Sequence, residues 1–124
     1  NTITLFQSDK ALKKEVMRIE TDSTPLEEPK NPDTCNVFAL YRLVADAAQI
    51  AEMRENYLKG GYGYGHAKKA LLEVLMERFA EPRERFNYYM ENLEELDELL
   101  AIGAGKARAV ARQTLDRVRS TLGY

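Results

Sequence analysis

One cysteine, Cys35, leaves no partner for an internal disulfide and too few thiols for a cysteine-built metal site. One histidine, His66, likewise cannot assemble a histidine-based metal centre. No apolar run approaches the ~20 residues that a membrane-spanning helix needs, and no signal peptide is visible. The chain opens on Asn1 rather than Met, which allows it to be a piece of a longer protein. These features point to a reducing, cytoplasmic setting without a membrane partner. Charge of one sign is lacking too. The formal net charge is -2, so any nucleic-acid site must come from local segregation of charge.

The familiar chemical motifs are missing as well. Gly103-Ala104-Gly105-Lys106 resembles part of a phosphate loop, but Leu100 stands at the upstream glycine position and Ala107 follows the lysine. The glycines at 61, 63 and 65 fail the dinucleotide-binding spacing, which would need a glycine at His66. No zinc-protease pair of histidines and no nucleophile elbow occur. Cys35 and His66 could form a nucleophile–base pair in principle. The simpler reading has Cys35 packing as a small hydrophobe and His66 sitting in the first turn of a helix.

What is present is helical. The chain has 124 residues, 44% hydrophobic and 31% charged, an ordinary mix for one globular domain. Ser8 is a good N-cap, with Asp9 behind it and Leu12, Val16 and Ile19 at helical spacing. Lys10, Lys13, Lys14 and Arg18 fall elsewhere on that helix's surface, and the polar run ending at Pro25 is its expected stop. Pro25, Pro29 and Pro32 make the next stretch a loop. Asn31 before Pro32 reads as a helix start for Val37, Leu40, Tyr41 and Val44. A further helix covers about residues 47–59, and Gly60 ends it. The glycine- and tyrosine-rich run 61–65 reads as a turn. A long apolar pattern from Ala67 through Leu71, Leu75 and Phe79 to Leu93 carries a kink or break at Pro82. Asn92 is a candidate cap for an acidic helix, and Gly103 and Gly105 mark a bend before the last helix. No strand pattern or internal repeat is found, so the fold class is all-α.

The last helix holds the candidate site. Projected at ~100° per residue, Ala107, Val110, Ala111, Leu115, Val118 and Leu122 share one face. Arg108, Arg112 and Arg119 line one flank of it, with Lys106 and Arg117 on the other. Guanidinium forks suit phosphates, so this stripe can track an RNA backbone. The alternative is a solvated face whose arginines pair with the acidic helix before it. Tyr62 and Tyr64 on the glycine run, and Tyr88 and Tyr89 further on, could stack on unpaired bases or serve as ordinary core residues. We take Arg108, Arg112, Arg119 and Lys106 as candidate phosphate contacts, and Tyr62 or Tyr64 as a candidate base-stacking residue. No catalytic or metal-ligating residue is assigned.

Five stretches resemble one family. The run Tyr57-Leu58-Lys59-Gly60-Gly61-Tyr62-Gly63-Tyr64-Gly65 with Lys68-Lys69-Ala70-Leu71, and Glu81-Pro82-Arg83-Glu84-Arg85-Phe86, are similar to the helical domain of bacterial tryptophan–tRNA ligases. The stretch from Leu99 to Ala107 is similar to the closing helices of tryptophan– and tyrosine–tRNA ligases. Met17-Arg18-Ile19-Glu20-Thr21-Asp22-Ser23 and Thr34-Cys35-Asn36 match in order and spacing. The glycine–tyrosine run and the Thr-Asp-Ser step favour the tryptophan enzyme, and the resemblance covers nearly the whole chain.

The resemblance implies an all-α helical bundle of about five to six helices, of the tRNA-ligase C-terminal (anticodon-binding) type. Residues 1–24 would connect it to a preceding catalytic domain, and residues 25–124 would form the anticodon-binding domain. The parent enzyme would activate tryptophan with ATP and Mg2+, charge tRNA(Trp) and form a homodimer. The family's ATP-handling motifs have no counterpart here, so no catalytic residue carries over and this part would need no cofactor of its own. Two further readings stay open. The helices could mainly brace the ATP loop and relay domain motion, with Thr21 to Ser23 mattering most, or they could form a protein-interaction domain.

Overall fold

The computed structural model describes residues 2–124; Asn1, which opens the expected connecting segment, lies outside the described residues. Six α-helices and one 3-10 turn are present, and no strand occurs among the described residues. They are α1 (Asp9–Met17), a 3-10 turn (Pro32–Thr34), α2 (Asn36–Val44), α3 (Ala47–Lys59), α4 (Tyr64–Arg78), α5 (Ala80–Glu91) and α6 (Leu93–Leu122). The chain divides into two compact units, one ending at Arg83 and one spanning Glu84–Tyr124. Helix α1, within the segment expected to connect to a catalytic domain, packs on α4 inside the first unit.

In the first unit α4 is the central element, with α1 and α2 laid against it. Its Ala67, Leu71, Val74 and Leu75 are buried at spacings of three and four, the helical period that keeps one face inward. They meet Leu12 and Val16 of α1, Val37, Phe38 and Tyr41 of α2, and Met53 and Tyr57 of α3. Local signals set the ends. The Ser8 hydroxyl accepts the Ala11 N–H at the start of α1. Asp46 and Gln49 exchange side-chain and backbone hydrogen bonds at the start of α3, a complete capping box.

Four boundaries differ from the sequence reading, each for a visible reason. The first helix ends at Met17, ahead of the polar run, where the Arg18 N–H closes onto Lys14 and Glu15 carbonyls and Lys68 Nζ donates to the Met17 carbonyl. Asn31 does cap, but it caps the 3-10 turn by accepting from the Asp33 N–H; α2 starts after Cys35. The glycine run is only partly a turn, since Gly63 is the N-cap and Tyr64 and Gly65 are already helical. The break ahead of Pro82 falls at Phe79, about one turn upstream, which leaves Pro82 in the first turn of α5 where its missing N–H costs least.

In the second unit the end of α5 is joined to α6 through Asn92. Its side chain donates to the Tyr88 carbonyl rather than capping α6, and the Tyr88 hydroxyl donates to Glu95 at 2.6 Å. The expected bend at Gly103 and Gly105 is absent: α6 runs unbroken for 30 residues, about 45 Å of axis. Neither glycine has a positive φ. The three-to-four-residue apolar spacing continues across both, so the helical register is never interrupted.

Candidate nucleic-acid interface

Helix α6 is polarised along its length. Glu94 and Glu95 occupy its first turn, where the helix dipole favours negative charge, and Arg119 lies in its last turn, where it favours positive charge. Between them Lys106, Arg108, Arg112 and Arg117 are all exposed. The continuous helix puts Arg108, Arg112 and Arg119 along one flank, and Lys106 and Arg117 along the other. The anticipated pairing of these arginines with nearby acids is not made. Arg54 pairs with Asp33 and Arg83 with Asp9, and among the described residues no ion pair is seen for Arg108, Arg112, Arg117 or Arg119. The α6 guanidiniums therefore keep their donors for water or an external anion.

Between the two flanks runs an apolar stripe. Leu100, Val118 and Leu122 are exposed, and α6 carries no buried residue. The basic flanks border the apolar stripe directly: Arg108 and Arg112 line one open depression together with Leu115 and Val118.

The tyrosines are placed differently from the expectation of a free glycine loop. Tyr57 is fully buried, and the rings of Tyr62 and Tyr64 pack on it with centroids 5.8 and 6.2 Å away. The Tyr64 hydroxyl donates to Asp22 at 2.7 Å, and Lys30 lies 5.4 Å from the centroid of the same ring. Burial and the Asp22 contact push the Tyr64 phenol up to about 12. Burial also raises Tyr62 and, most strongly, Tyr57, whose hydroxyl meets Cys35 Sγ at 3.3 Å. Half-buried Tyr62 and Tyr64 serve first as core aromatics, and any stacking on a base would use what remains of their edges. Tyr88 and Tyr89 lie elsewhere, edge to face on each other at 5.5 Å.

Cys35 and His66 do not form a catalytic pair. The thiol is buried against Tyr57, whereas His66 is exposed in the first turn of α4 with Nδ1 accepting the Gly63 N–H.

The contacts made by several positions escaped the sequence reading. Lys30 is buried, and its ammonium donates to the carbonyls of Pro25, Leu26 and Glu28 at 2.8, 3.3 and 3.1 Å. Asp22 accepts from the Thr24 N–H at 2.9 Å as well as from Tyr64, and the Thr24 side chain, the Tyr64 hydroxyl and the Thr24 N–H, in that order, hold its carboxyl below the usual range. Asn36 donates to the Glu20 carbonyl at 3.2 Å, so the two upstream motifs meet in space. Arg83 donates to the carbonyls of Leu5 and Gln7 and pairs with Asp9, pinning the segment before α1. A lysine among prolines and an arginine three residues past a helix start carry no sequence mark of burial, so only the fold reveals them.

No family model matches the chain. Individual proteins match it closely. The tryptophan–tRNA ligase of Campylobacter jejuni strain RM1221 is 42% identical over 123 residues, covering 99% of this chain and 39% of that protein. That of Rhodopirellula baltica is also 42% identical and is covered over 38% of its length. That of Pseudomonas aeruginosa is 37% identical, with 27% of it covered. The crystal structure of Campylobacter jejuni tryptophanyl-tRNA synthetase superposes on the entire chain with a TM-score of 0.90 at 41% identity, using 40% of its own length. A second structure of that enzyme, complexed with ADP and tryptophan, matches equally well. The chain therefore spans about two-fifths of the Campylobacter proteins. Identity of 37–42% over 99% of the residues, with a TM-score of 0.90, matches this chain to the C-terminal helical part of tryptophan–tRNA ligases.

Proposed function

We propose that this chain is the tRNA-facing helical part of a cytoplasmic tryptophan–tRNA ligase, and that it holds the anticodon side of tRNA(Trp). The parent enzyme activates tryptophan with ATP and Mg2+ and transfers it to the tRNA. In this reading that chemistry belongs to the part of the enzyme that this chain does not span, which is about three-fifths of the Campylobacter protein. The residues of this chain would serve that chemistry from outside the catalytic centre. The role left to them is binding and positioning, with the catalytic domain of the same protein as the second partner. The uncovered apolar stripe of α6 is the surface that such a domain would cover.

The observation that carries the tRNA reading is the set of unpaired cations on α6. Arg108, Arg112 and Arg119 stand one to three turns apart on one flank, without an acid in contact. In this reading they grip successive phosphates while Lys106 supports from the other flank. Binding of the chain to tRNA(Trp) and to an anticodon-altered copy, each at two salt concentrations, tests it. Salt-sensitive binding that weakens with the altered anticodon is expected. Equal affinity for the two RNAs refutes anticodon reading, and absence of salt dependence refutes phosphate contact by α6.

One observation favours the bracing role as a second reading. The Thr21-Asp22-Ser23 step is tied to α4 by the Tyr64 hydroxyl and to α2 by Asn36 through Glu20. If bracing dominates, Asp22→Ala in the full-length enzyme lowers tryptophan activation while leaving tRNA affinity intact. The reverse pattern, from Arg112→Ala, supports the tRNA reading.

A further inference from the structure

Helix α1 presents a second cationic surface, and how its charges are disposed shows what it fits. Lys10, Lys13 and Lys14 of α1 and its C-cap Arg18 are all exposed; Lys10–Lys13, Lys10–Lys14 and Lys14–Arg18 stand three or four residues apart, so the four cations form one continuous face. The face extends about 12 Å along the helix axis. Lys10 and Lys14, and Lys14 and Arg18, are like-charge pairs one turn apart, an arrangement that costs a helix a few tenths of a kcal/mol each. A helix relieves such repulsion by placing acids between the cations. The acids near α1 are turned to other work. Glu15 accepts the Thr4 N–H at 2.9 Å, and Asp9 pairs with Arg83. The contact that α4 makes with the end of α1 brings another cation, since Lys68 Nζ donates to the Met17 carbonyl.

We propose that this exposed face of α1 is a separate phosphate-contacting surface, which engages the sugar–phosphate backbone of an RNA stem. The inference rests on the tRNA reading above but concerns a different helix in a different unit from α6. A row of mobile ammonium groups suits a sequence-independent backbone contact. No aromatic residue lies on the face to stack on a base, so it adds affinity and orientation rather than base recognition.

The test compares three variants of the full chain by titrating tRNA(Trp) across a range of salt. The first carries Lys10→Gln, Lys13→Gln and Lys14→Gln, changes that keep helix propensity nearly constant, and circular dichroism checks that the fold is retained. The second carries Arg112→Gln and Arg119→Gln on α6. The third, Arg42→Gln with Lys59→Gln, removes charge from exposed positions on α2 and α3. The slope of log K against log salt is expected to fall by two to three in the α1 variant and by much less in the third. An unchanged slope in the α1 variant, or an equal fall in the third, overturns the proposal. Loss confined to the α6 variant overturns it while leaving the α6 reading intact, and loss confined to the α1 variant does the reverse. No salt-dependent binding by the unaltered chain overturns both. Displacement of the RNA from α1 by polyglutamate at equal charge concentration would assign the face to an acidic protein instead.

Discussion

Replacing Lys30 by methionine isolates the main polar anchor of the first unit. The ammonium donates to three carbonyls within the loop at residues 25–30 and sits over the Tyr64 ring. The same loop is stitched to the end of α3 by Lys30 N–H to the Tyr57 carbonyl at 2.7 Å, and by Gly61 N–H to the Leu26 carbonyl at 3.1 Å. Methionine keeps most of the stem's packing and leaves the backbone bonds intact, so the loss is that of the charge. Hydrogen bonds from a charged donor are worth about 1.5–3 kcal/mol each. Burying the ammonium offsets several kcal/mol of that gain. The carbonyls left behind can recover part of the loss as the loop opens to water. A net destabilisation of about 2–4 kcal/mol results. At roughly 4–8 °C per kcal/mol for a unit of this size, the midpoint falls by about 8–30 °C. The chain has no tryptophan, so near-ultraviolet circular dichroism of the buried tyrosines reports the first unit's unfolding in urea. The expected result is a lower midpoint with an unchanged slope. Lys59→Met, at an exposed position, is the reference and should be near neutral. A loss below about 0.5 kcal/mol for Lys30→Met would refute the anchoring role of the charge.

Gly60→Ala should destabilise the first unit by about 2–3 kcal/mol, because φ is +79° and a Cβ would stand 2.5 Å from the Glu27 carbonyl oxygen. Gly61→Ala, at φ +75° in open space, should cost less in the same urea titration, and equal losses would contradict the close approach. Stability should fall as pH rises past 10, since Tyr57, Tyr62 and Tyr64 have folded-state values above the unfolded one; the contribution is whole below pH 10 and is lost above it, at up to ~1.4 kcal/mol per pH unit for fully buried Tyr57. A urea midpoint flat between pH 9 and 11 would contradict this burial. Gly105→Ala should raise helical ellipticity and stabilise α6 by about 0.5–1 kcal/mol, because a Cβ there meets nothing within 4 Å; a loss instead would restore the bend.

That last substitution bears on what a sequence can show of this fold. Periodicity identified the apolar faces of α1, α2, α3 and α4, because burial on a helix must repeat every three to four residues. It also gave the α6 stripe and its flanking arginines. What it could not weigh was local glycine chemistry against a continuing register. Glycine inside a helix costs only about 1 kcal/mol, so two of them do not end a helix whose stripe runs on for five more turns. The same competition placed Tyr64 and Gly65 inside α4. The tyrosines were ambiguous for a different reason: Tyr62 and Tyr64 look loop-borne until α3 brings Tyr57 beneath them, a contact set by the turn at Gly60 and Gly61 and not by pattern. The cations divide along the same line. Exposed ones on α1 and α6 are legible from helical spacing alone, as are their flanks. Lys30 and Arg83 are bound to backbone carbonyls distributed over separate segments, which no spacing rule collects. The exposed cations of α1 and α6 were therefore readable in advance, whereas the charges that hold the chain's own loops were not.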